Sequence, residues 1–373
     1  MVNTCIPEVG IEDYAQHLLF DKAKGRVPLV GALELTFRCN NRCMHCYVNK
    51  AADDRRERRR ELRSGQICRI LDAIAEEGCL WLLFTGGEPF IREDFLDIYF
   101  HAKRKGFLIT LFTNGTLIDR AVADFLAEWP PRSIEISLYG MSEGVYEGVT
   151  GVRGSYAKCM EGIELLMERD LPPTLKAMIL TLNRHELDDM KAFARSLGLQ
   201  FRFDPLLNLR IDGGRNPAKL RLSPREVVQL DSDDEERRVE LVELSERSGK
   251  VTMNSEFLFT CGAGVNSFHI DPHGFLHICG LVRNPRYDLI NGSFRDGWHT
   301  FLPEVRAQRW KGNYPCSHCS LHALCGQCPG WSQLEHGDME KPVEYLCRVG
   351  HLRGELLERG NGRRAPLHTE VEE

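Results

Sequence analysis

Between residues 33 and 203 the chain alternates two apolar patterns, and this alternation limits its fold more than any other feature. Strand-sized apolar runs occur at 33–37, 80–85, 108–113, 134–138, 175–181 and 200–203, with helical periodicity between them. Ile67, Ile70, Leu71 and Ile74 share one helical face, with Ser64 as N-cap and Gly78 as stop. Similar faces cover 93–105, 118–129, 155–169 and 186–197, two of them ending at Gly106 and Gly198. Strands separated by helices specify a parallel sheet, because a parallel neighbour needs a crossover long enough to hold a helix. Periodicity alone fits both a doubly wound sheet and part of a barrel.

After residue 203 the pattern changes. Residues 205–218 are rich in Asn, Gly and Pro and read as loop, and 223–249 as a charged helix or helix pair capped by Ser223 with Pro224 in its first turn. From about 257 the chain is short-stranded and cysteine-rich, with a hairpin at 267–279 around Asp271-Pro272-His273-Gly274. The resulting division is an N-terminal segment 1–29, an α/β unit 30–205, a linker with a charged helix 206–255, a cysteine-rich unit 256–350 and a polar tail 351–373 whose residues 360–373 are expected to be disordered. The basic run 55–60 reads as a solvated helix face with internal charge pairs; docking of an acidic segment there is the weaker reading.

A net charge of −6 excludes the basic field that nucleic-acid binding needs. No apolar run approaches a membrane span, and residues 1–10 lack a signal-peptide pattern, so the expectation is a cytoplasmic chain. There its 14 cysteines serve metal or redox chemistry rather than disulfides. Cys39, Cys43 and Cys46 form one group; Cys261, Cys279, Cys316, Cys319, Cys325, Cys328 and Cys347 form another; Cys5, Cys68, Cys79 and Cys159 stand alone. The first group fits zinc with His45 as fourth ligand, or an iron–sulfur cubane with one iron left open. Gly86-Gly87-Glu88-Pro89 ends the second strand run; Asn114, Ser137, Asn183 and Asp204 end or follow later ones, all on the rim where chemistry gathers in α/β barrels.

The three-then-two spacing of Cys39, Cys43 and Cys46, together with Gly86-Gly87-Glu88-Pro89 after the next strand, resembles the radical S-adenosylmethionine (SAM) superfamily. The resemblance implies a partial (β/α)6 TIM-like barrel. It also implies a 4Fe-4S cluster on Cys39, Cys43 and Cys46 whose open iron takes the amino and carboxylate groups of SAM. Gly86, Gly87, Glu88 and Pro89 would sit at the methionine end, with Ser137 and Asn183 as further cofactor contacts. Reductive cleavage of SAM would give a 5′-deoxyadenosyl radical that abstracts hydrogen from an unactivated carbon.

Cys316-x2-Cys319-x5-Cys325-x2-Cys328 on its own admits a zinc ribbon, although the five-residue gap is short. With Cys261, Gly274 five positions before Cys279, and the late Cys347, the order resembles the SPASM domain of radical SAM peptide-modifying enzymes. That likeness implies two auxiliary 4Fe-4S clusters, three clusters in all. Cys316, Cys319, Cys325 and Cys347 would ligate the outer one; Cys261, Cys279 and Cys328 the inner one, with one iron vacant for a substrate thiolate or a protein ligand such as His269, His273 or His277. The residue reading makes those histidines solvent-facing. Two departures stand out: the family's last interval is usually three residues, and an eighth cysteine upstream of Cys261 is missing. Sulfatase-maturing relatives place an aspartate base where this chain has Gly280, which disfavours that oxidation, and Tyr139 replaces a common aspartate.

The implied function is modification of a ribosomally synthesised peptide, first by thioether cross-linking, then by cyclophane formation or epimerisation. About thirty residues precede the first strand, too few for a leader-binding domain, so the expected partners are a peptide substrate, a separate leader-binding protein and a reductant such as flavodoxin or ferredoxin. The alternatives are radical SAM chemistry on a small molecule or haem-like cofactor and, remotely, a zinc-stabilised non-catalytic binding protein.

Overall fold

Six parallel strands cross one sheet in chain order: β1 (Val30–Glu34), β2 (Trp81–Thr85), β3 (Leu108–Thr113), β4 (Ser133–Ser137), β5 (Thr174–Met178) and β6 (Phe201–Asp204). The computed structural model describes residues 26–48, 50–248, 256–312 and 314–360. Every neighbouring pair among the six is parallel, and the order never reverses. Right-handed crossovers that always step the same way place their helices on one face, so the sheet curls into part of a barrel. A doubly wound sheet would reverse its order at a switch point. The open alternative is therefore resolved as the partial barrel.

The helices bury the stripes their sequences carry. Helix Ser64–Glu76 buries Ile67, Ile70, Leu71 and Ile74, each worth about 1.5–3 kcal/mol when fully removed from water. Its N-cap is Arg63 rather than Ser64, because Gln66 Oε1 accepts from the Arg63 N–H at 2.9 Å. Helices Phe95–Arg104, Arg120–Glu128, Ser155–Met167 and Leu187–Ser196 occupy the other expected intervals. A further helix, Glu143–Thr150, escaped the sequence reading: Gly144 and Gly148 dilute its pattern, and Tyr146, Val149 and Thr150 supply its buried face.

The charged segment is a pair, Pro224–Asp233 and Glu235–Ser248, the first opened by a Ser223–Glu226 capping box. The sheet does not end at the linker. Strand β7 (Ser267–Ile270) lies parallel against β1, Val30 opposite Ser267, and β8 (Phe275–His277) and β9 (Tyr287–Asp288) continue antiparallel. The expected hairpin thus extends the barrel sheet to nine strands. Helix Glu344–Gly360 carries ordered structure through residues assigned above to a tail, because Leu346, Val349 and Arg353 are buried along it. Residues 361–373, the linker's last residues 249–255 and residues 1–25, Cys5 included, lie outside the described residues.

Candidate functional site

The loop carrying Cys39, Cys43 and Cys46 leaves β1 and is pinned at its base. Arg38–Cys39 pairs in parallel with Lys50–Ala51. The Arg38 guanidinium donates to Glu61 at 2.8 and 3.0 Å and to the Ala52 carbonyl at 3.0 Å, and Arg92 donates to the Leu35 and Leu62 carbonyls, both at 3.1 Å. Glycines 86 and 87 let β2 close against this segment. A Cβ on Gly86 would sit 2.2 Å from the Thr36 carbonyl oxygen, with φ at +137°, and one on Gly87 would sit 2.1 Å from that of Arg38. Instead the Gly87 N–H donates to Thr36 at 2.7 Å and the Glu88 N–H to Arg38 at 2.9 Å.

Glu88 stands behind the Gly-Gly turn. It is fully buried, and its carboxylate accepts from Thr113 Oγ1 at 2.9 Å, the Asn114 N–H at 2.8 Å and the Phe90 N–H at 3.2 Å. Burial pushes its carboxyl up to about 7, with those three donors pulling the other way. Glu88 thus ties the end of β2 to that of β3, and Pro89 opens the buried 3-10 turn beside it. Asn183, wholly buried, clamps the chain after β5: it accepts from the Leu180 N–H at 2.7 Å and donates to the Met178 carbonyl at 3.0 Å.

Above these supports lies a cavity of about 1040 Å³ at the carboxyl ends of the strands. Cys39, Cys43 and Cys46 line it with Gly86, Gly87 and Ser137. Asn114 lines it too, its amide donating to Asn40 Oδ1 at 2.9 Å within 3.7 Å of Cys39 Sγ. Burial, then Glu88 and Cys46, pushes the Cys39 thiol up to about 12; burial, then Cys46 and Cys39, raises that of Cys43. Three half-buried thiols on one cavity wall suit a cationic metal centre. Yet among the described residues no three His, Cys, Asp or Glu side chains converge tightly enough for one metal ion. Three thiols as a donor set match the soft metals that thiolates hold, iron–sulfur clusters among them. The His45 ring packs edge-on against Tyr139 at 4.7 Å, and burial lowers its pKa to about 4.

The seven later cysteines sort into two sets. Burial raises Cys279 and Cys328; Cys261 raises Cys279 further, and Cys279 and Cys261 raise Cys328. Burial, then Cys347, Cys316 and Cys319, pushes Cys325 up to about 11, and Cys347 is raised by burial, then Cys316 and Cys319. Cys279 and Cys328 thus lie within electrostatic reach of Cys261, and Cys325 and Cys347 within that of Cys316 and Cys319. Arg306 holds the first set's loop through the Cys261 and Phe259 carbonyls at 2.8 and 3.2 Å. Gln327 braces the second, donating to Ser332 Oγ at 2.6 Å and accepting from the Val343 N–H at 3.1 Å. Gly350 lets the last helix reach it, since a Cβ there would lie 2.6 Å from Cys325 Cβ.

The hairpin histidines are not solvent-facing. His277 and His269 are buried, and His273 is mostly covered through its contact with Glu57. His277 Nε2 meets Asp271 at 2.9 Å, and His269 lines the cavity. Several polar groups inside the barrel went unnoticed in the sequence. Glu34, Glu135, Lys176 and Arg202 are charged residues at alternate positions within apolar strands, a signal that points inward in a barrel. Lys176 lies 3.6 Å from Glu135, and burial lowers its pKa to about 7. On the opposite wall Asp231 accepts from Arg237 at 2.6 Å and Arg353 at 2.7 Å.

Residues 33–197 match the Radical SAM superfamily. The chain is 34% identical over 164 residues to the PqqA peptide cyclase of Bradyrhizobium diazoefficiens, covering 44% of this chain and 42% of that protein. It is 25% identical over 317 residues to the subtilosin biosynthesis protein AlbA of Bacillus subtilis, covering 81% of this chain and 67% of AlbA. The Fe-coproporphyrin III synthase of Methanosarcina barkeri matches at 32% over 176 residues, 47% of this chain and 42% of the synthase. The chain therefore spans about two fifths of the first and third relatives. Among solved structures, Streptococcus suis SuiB bound to its precursor peptide SuiA superposes with a TM-score of 0.66 at 16% identity, over 93% of this chain and 84% of SuiB, which speaks to fold alone. The cysteine loop and Gly-Gly turn thus stand at the rim of a singly wound partial barrel, within the residues 33–197 that match the Radical SAM superfamily.

Proposed function

We propose that this protein is a radical SAM enzyme that modifies a ribosomally made peptide, with a thioether between a cysteine sulfur and a peptide carbon as its first product. The observation that carries the reading is the trio Cys39, Cys43 and Cys46 on the cavity wall beside the Gly86-Gly87 turn. The barrel cannot choose the substrate, since a tetrapyrrole-related synthase shares it. The likeness to AlbA, a bacteriocin biosynthesis protein, extends over 81% of the chain and so reaches beyond the barrel.

Cys39, Cys43 and Cys46 would hold a four-iron cluster, Cys316, Cys319, Cys325 and Cys347 a second, and Cys261, Cys279 and Cys328 a third with one iron free for a substrate thiolate. Bound there, the cluster and SAM supply an electron and a deoxyadenosyl radical able to take hydrogen from an unactivated carbon. The chain does the rest. Gly86 and Gly87 bring a bare backbone edge to the cavity, Glu88 fixes it from behind, and Ser137 and Asn114 offer polar contacts to the cofactor. The barrel wall keeps water from the reacting carbon. On this reading residues 30–205 form the radical unit, 206–255 the linker and 256–350 the auxiliary unit, acting in the cytoplasm with a reductant and a leader-binding partner. Among the described residues no helix is long and apolar enough to cross a membrane.

The test incubates anaerobically reconstituted protein with SAM, dithionite and cysteine-containing peptides encoded near its gene. The expected result is 5′-deoxyadenosine together with a peptide two mass units lighter. Deoxyadenosine without change in any such peptide, alongside turnover of a tetrapyrrole, would replace the peptide reading with the cofactor one.

A further inference from the structure

The strand wall of the cavity carries more positive charge than it balances. Phe112 on β3, Lys176 on β5 and Arg202 on β6 line the cavity, and Glu135 on β4 is the carboxylate beside them. Strand pairing sets Phe112 opposite Glu135 and Lys176 opposite Arg202. The Lys176 ammonium rests on the Phe112 ring, 2.8 Å from its centre, and stands 3.6 Å from Glu135, beyond hydrogen-bond distance. Arg202 gives one nitrogen to the same carboxylate. Among the described residues no other acceptor reaches either cation, so one carboxylate faces two of them. The two other arginines of the cavity are taken: Arg237 and Arg353 both donate to Asp231, and to the Phe203 and Leu324 carbonyls at 3.3 and 2.8 Å. Its acids are otherwise placed. Asp204 accepts from the Leu206 N–H at 2.8 Å, Asp231 is held by those two arginines, and Glu240 and Glu243 belong to helix Glu235–Ser248.

We propose that Lys176 and Arg202 seat a carboxylate of the substrate peptide, either an acidic side chain or the C-terminal carboxylate. The inference rests on the peptide reading above. Neighbouring strands stand about 4.8 Å apart, so two long cationic side chains rising from paired positions can meet the two oxygens of one carboxylate. Arg202 lies on the outermost strand of the sheet with its side chain 57% exposed, whereas that of Lys176 is 21% exposed. An acid entering from the open edge of the barrel therefore meets the guanidinium first and the ammonium deeper in. Burial makes the Lys176 charge costly, and a carboxylate that arrives with the substrate relieves that cost. A peptide without an acid at that place leaves the ammonium unpaired, which makes the pair a determinant of specificity.

Calorimetry on the full-length enzyme tests this with a cysteine peptide that the unaltered enzyme modifies. Each Asp or Glu of the peptide is replaced in turn by its amide, and a C-terminal amide is a separate arm. One of these changes should weaken binding to unaltered enzyme by about 30-fold, the lower end for a truncated buried charge pair, and the arm that responds tells side chain from terminus. In Lys176→Met the same change should cost much less, because the seat has already lost a cation, and Lys176→Arg should restore the sensitivity. Equal losses in Lys176→Met and unaltered enzyme, or no arm that weakens binding, overturn the proposal. SAM cleavage with no peptide modified would instead remove the peptide reading, and the seat is then judged by carbon-13 spectra of lysine-labelled full-length protein. The Lys176 signal, assigned by its loss in Lys176→Met, should move with excess N-acetylglutamate α-amide or N-acetylglutamine and stay still with N-acetylglutamine amide. A signal that moves with none of the three refutes the seat itself.

Discussion

Gly87→Ala separates a steric role for the Gly-Gly turn from a purely ligand-binding one. The added Cβ would stand 2.1 Å from the Arg38 carbonyl oxygen and 2.8 Å from that of Phe37, so the segment leading into Cys39 must retreat by about 0.9 Å to reach 3.0 Å. That carbonyl accepts the Glu88 N–H at 2.9 Å, and Gly87 donates to Thr36 at 2.7 Å. Overpacking of a close contact costs about 1–3 kcal/mol and each of the two strained hydrogen bonds about 1 kcal/mol, which together give about 3–5 kcal/mol. Gly148→Ala is the control: its Cβ meets nothing within 4 Å, and it lies inside helix Glu143–Thr150. It should stabilise by about 0.5–1 kcal/mol. Urea unfolding of the metal-free protein under anaerobic reducing conditions reads both. Gly87→Ala should shift the midpoint down and retain less iron after reconstitution. A midpoint within about 0.5 kcal/mol of the unaltered protein would refute the packing argument.

Other consequences can be checked on the same material. The Glu88 carboxyl is pushed up to about 7. A raised carboxyl favours the protonated native state, so its contribution is present below the unfolded value near 4.5 and is lost as pH rises through 7. Stability of the metal-free protein should fall between pH 5 and 7.5 by on the order of 2–3 kcal/mol from this group, and Glu88→Gln should flatten that slope; an identical slope would mean the carboxyl is not buried as described. Gly350→Ala places a Cβ 2.6 Å from Cys325 Cβ and should cost the Cys316–Cys347 set its iron while sparing that on Cys39, Cys43 and Cys46, read by iron per chain. Replacing Arg58–Arg60 by Ser removes an exposed pair with Glu93 and a long 3.8 Å contact from the exposed Arg60 to the buried Glu57, so stability should move by less than about 1 kcal/mol, and unchanged peptide turnover would sink a leader-docking role.

Much of this molecule could be read before its coordinates, and the failures share a cause. Strand and helix periods gave the parallel sheet, since buried runs such as Leu82 and Phe84 in β2 leave a local imprint. The direction in which strands are added leaves none, so barrel and doubly wound sheet stayed level until resemblance and then β1–β6 order decided. The joining of β7 to β1 links residues more than 230 apart and was likewise silent. At the site, cysteine spacing was strong because ligands must be close in sequence to share a loop. Glu88 and Asn183 were harder to read, because a polar residue at a strand end looks the same whether it meets a ligand or the next strand. The hairpin histidines misled for the reverse reason: alternation put His269 and His277 on a face that sequence treats as solvent, while Glu34 and Asp271 wait behind it.

The account's central claim is that the cysteines form three separate metal-binding sets. The direct measurement is iron, acid-labile sulfide and zinc per chain after anaerobic reconstitution, on the unaltered protein and on three variants. These carry alanine at Cys39, Cys43 and Cys46; at Cys261, Cys279 and Cys328; or at Cys316, Cys319, Cys325 and Cys347. The account predicts about twelve irons and twelve sulfides, with a loss of about four of each in every variant. Stoichiometric zinc without sulfide, or a single variant that abolishes all the iron while remaining folded, would contradict it.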